Sequence, residues 1–102
     1  MVGVFIERRL DLADKSEVMV RFYRPVADEA DFRCDYEIIW PHRKRAFYAI
    51  GIDEMQALIL AIQMAHTDLL ASPEAKRGEL TWLGSRDLGL PLASSVRPED
   101  FA

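Results

Sequence analysis

The sequence has few of the residues that chemistry requires. It holds one cysteine, Cys34, and two histidines, His42 and His66. A lone cysteine excludes an intrachain disulfide and fits a reducing, cytoplasmic setting. Two histidines on separate segments give too few ligands for a metal site, and His66 and Asp68, two apart, point to different sides of any helix. No phosphate cradle is present either, because no Lys-Ser or Lys-Thr follows the Gly84–Gly89 spacing. Long apolar runs are missing. The most apolar stretch, Ala57 to Ile62, soon meets Gln63, His66 and Asp68 and falls far short of the ~20 residues of a membrane span. The arginines near the N-terminus follow a short apolar run, the reverse of a signal peptide, so no targeting segment or membrane anchor is expected. Positive charge is in deficit, 13 basic against 17 acidic side chains for a net −4, which repels a phosphate backbone unless the basic residues cluster.

What is present suits one small domain. The 102 residues, half of them hydrophobic and 29% charged, are too apolar for wholesale disorder. They suffice for one core, but not for a core plus a large separate ligand cavity. Residues 2–12 alternate, with Val4, Ile6, Leu10 and Leu12 on one side and Glu7, Arg9 and Asp11 on the other. Period two marks a half-buried strand, and Arg8 breaks its apolar side. Asp14-Lys15-Ser16 is a turn signal. Val18, Val20 and Phe22 then alternate in a second strand ended by Pro25, which completes a hairpin. Residues 26–33 read as an acidic connection without structure. Cys34, Tyr36, Ile38 and Trp40 lie on one side of a third strand, and residues 45–50 return as a fourth around a polar tip. A tip centred on His42 and Arg43 pairs Trp40 with Arg45, Ile38 with Phe47, and Tyr36 with Ala49. Ile39, Ala46, Tyr48 and Ile50 then share the opposite face, a pattern expected of a hairpin covered on both sides.

Gly51-Ile52-Asp53 is the clearest local signal. Asp53 is a preferred N-cap, Gln56 completes a capping box, and Glu54 puts favourable charge in the first turn. Met55, Leu58, Ile59, Ile62, His66 and Leu69 recur at helical spacing over a helix of roughly residues 54–71. Ala57, Leu60, Ala61 and Met64 widen its apolar surface, and Ser72-Pro73 ends it. Residues 74–79 read as a polar linker, and Leu80 to Leu83 as a short fifth strand or extended cover. The expected architecture is α+β: a four-stranded antiparallel sheet of two hairpins packed by one long helix. A single domain would span residues 1–92, with a flexible tail at 93–102.

Cys34-x-Tyr36-x-Ile38-x-Trp40, Gly51-Ile52-Asp53-x-x-Gln56-Ala57-Leu58-x-Leu60-Ala61, Trp82-Leu83-Gly84 and Gly89-Leu90-Pro91 together resemble a family of small bacterial proteins known only as a domain of unknown function. The resemblance spans about residues 4–92. It implies a bacterial source and a small stand-alone protein, and it carries no activity, cofactor or catalytic residue.

Cys34, His42 and Asp53 are the obvious components of a nucleophilic site. Cys34, however, shares its strand face with Tyr36, Ile38 and Trp40, which favours a buried thiol acting as a small hydrophobe. His66 lies in the helix's apolar register, where a hydrogen-bonded histidine at the edge of the core outweighs a pH-sensitive or ligand-facing one. The cluster His42-Arg43-Lys44-Arg45, between Trp40 and Phe47, has the cations and rings of a nucleic-acid contact, though a hairpin tip must be polar in any case. The favoured function is a non-catalytic binding or interaction domain without metal or cofactor, which forms a homo-oligomer or meets a protein partner. Its candidate surface is Trp40, His42, Arg43, Lys44, Arg45, Leu60, Met64 and Trp82, because a two-faced helix and a two-faced hairpin leave apolar surface over. The alternatives are a nucleic-acid-binding regulator using residues 42–45 and, less favoured, a Cys/His enzyme.

Overall fold

The computed structural model describes residues 3–101. Six antiparallel strands form one sheet with a single long helix across one face, so the α+β class is correct and the strand count of four is not. Strands β1 (Val4–Leu12) and β2 (Glu17–Tyr23) form the first hairpin, with Leu10 opposite Val18 and Arg8 opposite Val20. Its turn is closed by the Lys15 amide on the Leu12 carbonyl at 2.9 Å and the Ser16 amide on the Asp14 carboxylate at 2.9 Å. The acidic segment expected to lack structure instead forms β3 (Val26–Asp28) and the first residues of β4 (Asp31–Ile39), which pair through Val26 and Arg33. Glu29, at φ 56°, lets the chain reverse in two residues there. β3 and β2 occupy the same edge of β4 in succession, because β5 (Lys44–Gly51) covers the other. Pro25, lacking an N–H, interrupts this composite strand without ending it. The sixth strand, β6 (Leu80–Thr81), pairs with the end of β1, so of the two alternatives for residues 80–83, short strand or extended cover, Leu80 and Thr81 take the strand.

In the β4–β5 hairpin Tyr36 faces Phe47, Ile38 faces Arg45 and Cys34 faces Ala49, two residues from the symmetric register. The reason is a tighter tip: the Trp40 amide donates to the Arg43 carbonyl at 2.8 Å, leaving only Pro41 and His42 in the loop. A shift of two preserves every side-chain face.

Helix α1 (Glu54–Leu70) starts as its sequence requires. The Gln56 amide donates to the Asp53 carboxylate at 2.8 Å, and the Gln56 side chain accepts from the Ile52 amide at 2.7 Å. Gly51 is needed for a different reason. A Cβ there would lie 2.4 Å from the Ala57 nitrogen, so only glycine lets the strand end meet the helix. Ser72 does more than stop α1, since its hydroxyl accepts from the Ala75 amide and caps a second short helix, α2 (Pro73–Lys76), where a linker was expected.

The core lies between α1 and one sheet face. Ala57, Ala61 and Ala65 are fully buried, and these small side chains bring the helix close to Cys34, Tyr36 and Ile38, also buried. Each large aliphatic residue closed off here, such as Leu10, Ile38 or Leu69, contributes roughly 1.5–3 kcal/mol. Arg8 does not break the apolar face after all. Its guanidinium stacks 3.9 Å from the Trp82 ring and donates to the Leu88 carbonyl at 2.7 Å, so the 82–88 segment covers it. The other sheet face is not covered, contrary to the two-sided expectation. No described helix packs on it, and its apolar residues sit among charged pairs and stacks, including Arg33 with Asp35 at 2.8 Å and Arg33 over Tyr48 at 3.9 Å. On the helix, Met55 and Ile59 remain exposed.

Candidate functional site

The basic tip proves to be three separate ion pairs. Arg43 stacks 4.0 Å from the buried Trp40 ring and holds Glu74 of α2 in a bidentate grip at 2.7 and 2.9 Å. Lys44 pairs with Glu37 at 2.8 Å on the open sheet face. Arg45 pairs with Asp68 of α1 at 2.7 Å on the covered face. Adjacent strand residues project to opposite faces, so the cations diverge. His42 is exposed in the two-residue loop, Leu60 and Met64 are half-buried at the rim of the core, and Trp82 lies against Arg8. The structure thus divides the eight residues singled out in the sequence: Arg43 and Arg45 reach α2 and α1, Lys44 turns to the open face, and Trp82 lies against β1. Their cations act as struts. Arg45 and Tyr36 share one oxygen of Asp68, the Tyr36 hydroxyl donating at 2.6 Å. Burial and this bond to a carboxylate push the Tyr36 phenol well above its usual range. Glu37 is buried, and the hydrogen bonds from Lys44 and from the Tyr23 hydroxyl hold its carboxyl below the usual range.

The nucleophile components are likewise dispersed. Cys34 is fully buried, its Sγ donates to the Tyr23 carbonyl at 3.3 Å, and burial pushes its thiol up to about 11. Asp53 caps α1 just beyond the end of β5, whereas His42 sits before its start. At about 3.3 Å per residue the strand between them spans some 25 Å. His66 Nδ1 lies 3.1 Å from the Pro91 carbonyl, and burial holds the ring below its usual pKa. It pins the C-terminal segment to α1. Among the described residues, no three His, Cys, Asp or Glu side chains converge as metal ligands.

The sheet ends on one side at β5. β5 pairs only with β4, so its eight-residue outer side carries no described strand. The Trp40–Arg43 bond sets the phase of the ladder: Arg45, Phe47, Ala49 and Gly51 turn their backbone groups to β4, and Lys44, Ala46, Tyr48 and Ile50 turn theirs outward. Along Ala46-Phe47-Tyr48-Ala49-Ile50 there is no charge or proline to discourage pairing. Phe47, Tyr48 and Ile50 are 44%, 36% and 41% exposed, far more than core neighbours of the same kind. Two-faced apolarity in residues 46–50 is visible in the sequence, but which strand ends the sheet is not.

Residues 6–92 match the family described as Domain of unknown function (DUF6968). The chain belongs to this family. No curated protein and no solved structure matches it. The motifs that suggested the relationship serve to set the backbone. Gly51, Asp53 and Gln56 start the helix. Trp82 and Ser85 close a tight turn with reciprocal backbone bonds of 2.8 and 2.9 Å, Leu83 and Gly84 between them adopting positive φ. Gly89, at φ 65°, lies so close to the Trp82 ring that a Cβ would meet it at 2.2 Å. No helix among the described residues is long and apolar enough to cross a membrane.

Proposed function

We propose that this DUF6968 domain is a non-catalytic binding module that self-associates by joining the β5 edge to the same edge of a second copy. The observation that carries this reading is the outward ladder of Lys44, Ala46, Tyr48 and Ile50, flanked by exposed apolar side chains and free of gatekeepers at its centre. The strand suits itself as a partner. An antiparallel pairing with its two-fold axis at Tyr48 sets Ala46 opposite the second Ile50, Phe47 opposite the second Ala49, and Arg45 opposite the second Gly51. The two Tyr48 rings then face each other across the axis, Phe47, Ile50 and Arg45 each meet a small residue, and no like charges face each other. The dispersal of Cys34, His42 and Asp53 supports a role without catalysis. The engagement of Arg43, Lys44 and Arg45 by Glu74, Glu37 and Asp68 leaves the tip little with which to grip a nucleic acid.

Sedimentation equilibrium over the micromolar to millimolar range tests the reading: a concentration-dependent dimer is expected, and a monomer throughout refutes it. Tyr48→Cys in a Cys34→Ala background should form a disulfide-linked dimer on mild oxidation, while Ile52→Cys in the same background should not. Equal cross-linking at both positions would show that the copies meet elsewhere.

A further inference from the structure

A second feature lies at the far end of α1 from its cap and is independent of the β5 edge. His66 and Leu70 of α1, α2, β6, residues 86–92 and the final 3-10 turn (Pro98–Phe101) enclose a groove of about 540 Å³. The sequence argued against a ligand cavity in so short a chain. This one arises because the C-terminal residues arch over the end of the core, whose interior stays filled. Most of its wall is apolar, with Leu80 and Leu88 fully buried at the base and Leu90 and Phe101 half-buried at the sides. Its size and its balance of many apolar to few polar groups are those of a small-molecule site.

The polar groups define the ligand's charge. Lys76 and Arg86 both line the groove, and neither has a carboxylate of the described residues within 4.0 Å. Arg86 is held in place all the same. Its guanidinium packs beside Gly78, where a Cβ would sit 3.4 Å from Cζ, and it reaches the Ala75 carbonyl at 3.5 Å. The wall holds one acid, Asp87, one of whose oxygens accepts the Gly89 amide at 2.9 Å. His66 contributes an uncharged ring tied to the Pro91 carbonyl.

We infer that this groove binds a small amphipathic carboxylate, with its apolar tail against Leu80, Leu88 and Phe101 and its carboxylate between Lys76 and Arg86. A planar carboxylate matches the guanidinium fork, and the low-dielectric wall strengthens the contact. An amine of the same length would meet a wall of net positive charge, two cations against Asp87, and an alcohol would leave the cations unanswered.

The probe is decanoate below its micellar concentration, followed by amide chemical shifts of the full chain and compared with decanol and decylamine. The expected result is saturable binding of decanoate, with shifts centred on His66, Leu88 and Phe101. Decanol should bind roughly ten- to a hundredfold more weakly, the equivalent of one or two charge-assisted hydrogen bonds, and decylamine should not bind. Lys76→Gln with Arg86→Gln should cost decanoate a similar factor and leave decanol unchanged, with no effect on sedimentation. Phe101→Ala should weaken both. Equal affinity for decanoate and decanol, shifts centred on the open sheet face, or binding only to vesicles containing the acid would overturn the inference.

Discussion

The contact between Tyr36, Asp68 and Arg45 offers the sharpest test of how the helix is held to the sheet. Tyr36 is 1% exposed, and its hydroxyl donates at 2.6 Å to the Asp68 oxygen that also accepts from Arg45 Nε at 2.7 Å. Tyr36→Phe removes one charge-assisted hydrogen bond and leaves Asp68 its arginine, a loss of about 1.5–3 kcal/mol. Asp68→Ala removes that bond, the ion pair to the half-exposed Arg45, and the partner of a buried hydroxyl. It should cost about 2–4 kcal/mol, most of it from the stranded hydroxyl. Arg45→Gln alone should cost under about 1 kcal/mol, because solvent screens that side of the pair. If the two large effects share one bond, the Tyr36→Phe/Asp68→Ala double variant should be no worse than Asp68→Ala, with a coupling of about 1.5–3 kcal/mol, the whole Tyr36→Phe effect. Urea unfolding at pH 7, read by tryptophan fluorescence, measures all four. At roughly 4–8 °C per kcal/mol for a chain of this size, thermal melts should rank them identically. A neutral Tyr36→Phe, or strictly additive effects, would refute the reasoning and assign the helix's anchorage to apolar burial alone.

Acid stability follows from Glu37 and Glu74, whose carboxyls are held below 4.5 first by hydrogen bonds from Lys44 and Arg43 respectively. Their contribution is complete above the unfolded value near 4.5 and is lost as pH falls through the lower folded values, so Glu37→Gln should flatten that limb of a stability–pH profile. His66 acts earlier: its folded pKa lies below 6.5, so the unfolded chain takes up the proton first and stability should decline as pH drops from 6.5, a slope that His66→Gln removes. The Cys34 thiol should resist a disulfide reagent in the native state and react fully in urea, and fast native reaction would contradict its burial. Gly89→Ala must displace the Trp82 ring and occupy φ 65°, a backbone cost of about 1–2 kcal/mol before any clash, so an unchanged melting temperature would be incompatible with this packing.

Features governed by neighbours along the chain were legible before any fold was known. Asp53 and Gln56 start the helix because capping bonds reach only three or four residues. The alternation in 4–12 and 17–23 yields strands because side chains switch faces at every residue. The faces of the β4–β5 hairpin were right even with its register off by two, since parity survives an even shift. Residues 26–33 misled because polarity says nothing about a hairpin whose ladder lies at the sheet's margin. Tertiary structure alone decided the rest. Glu74, Glu37 and Asp68 become partners of Arg43, Lys44 and Arg45 only once α2, the open face and α1 are in place, which turns an apparent basic patch into three struts. That β5 is an edge among the described strands, and that Lys76 and Arg86 pair with no described acid beside an apolar groove, depends on what packs elsewhere. Such absences have no local signature, because a residue's free surface is set by the distant elements that fold over it or do not.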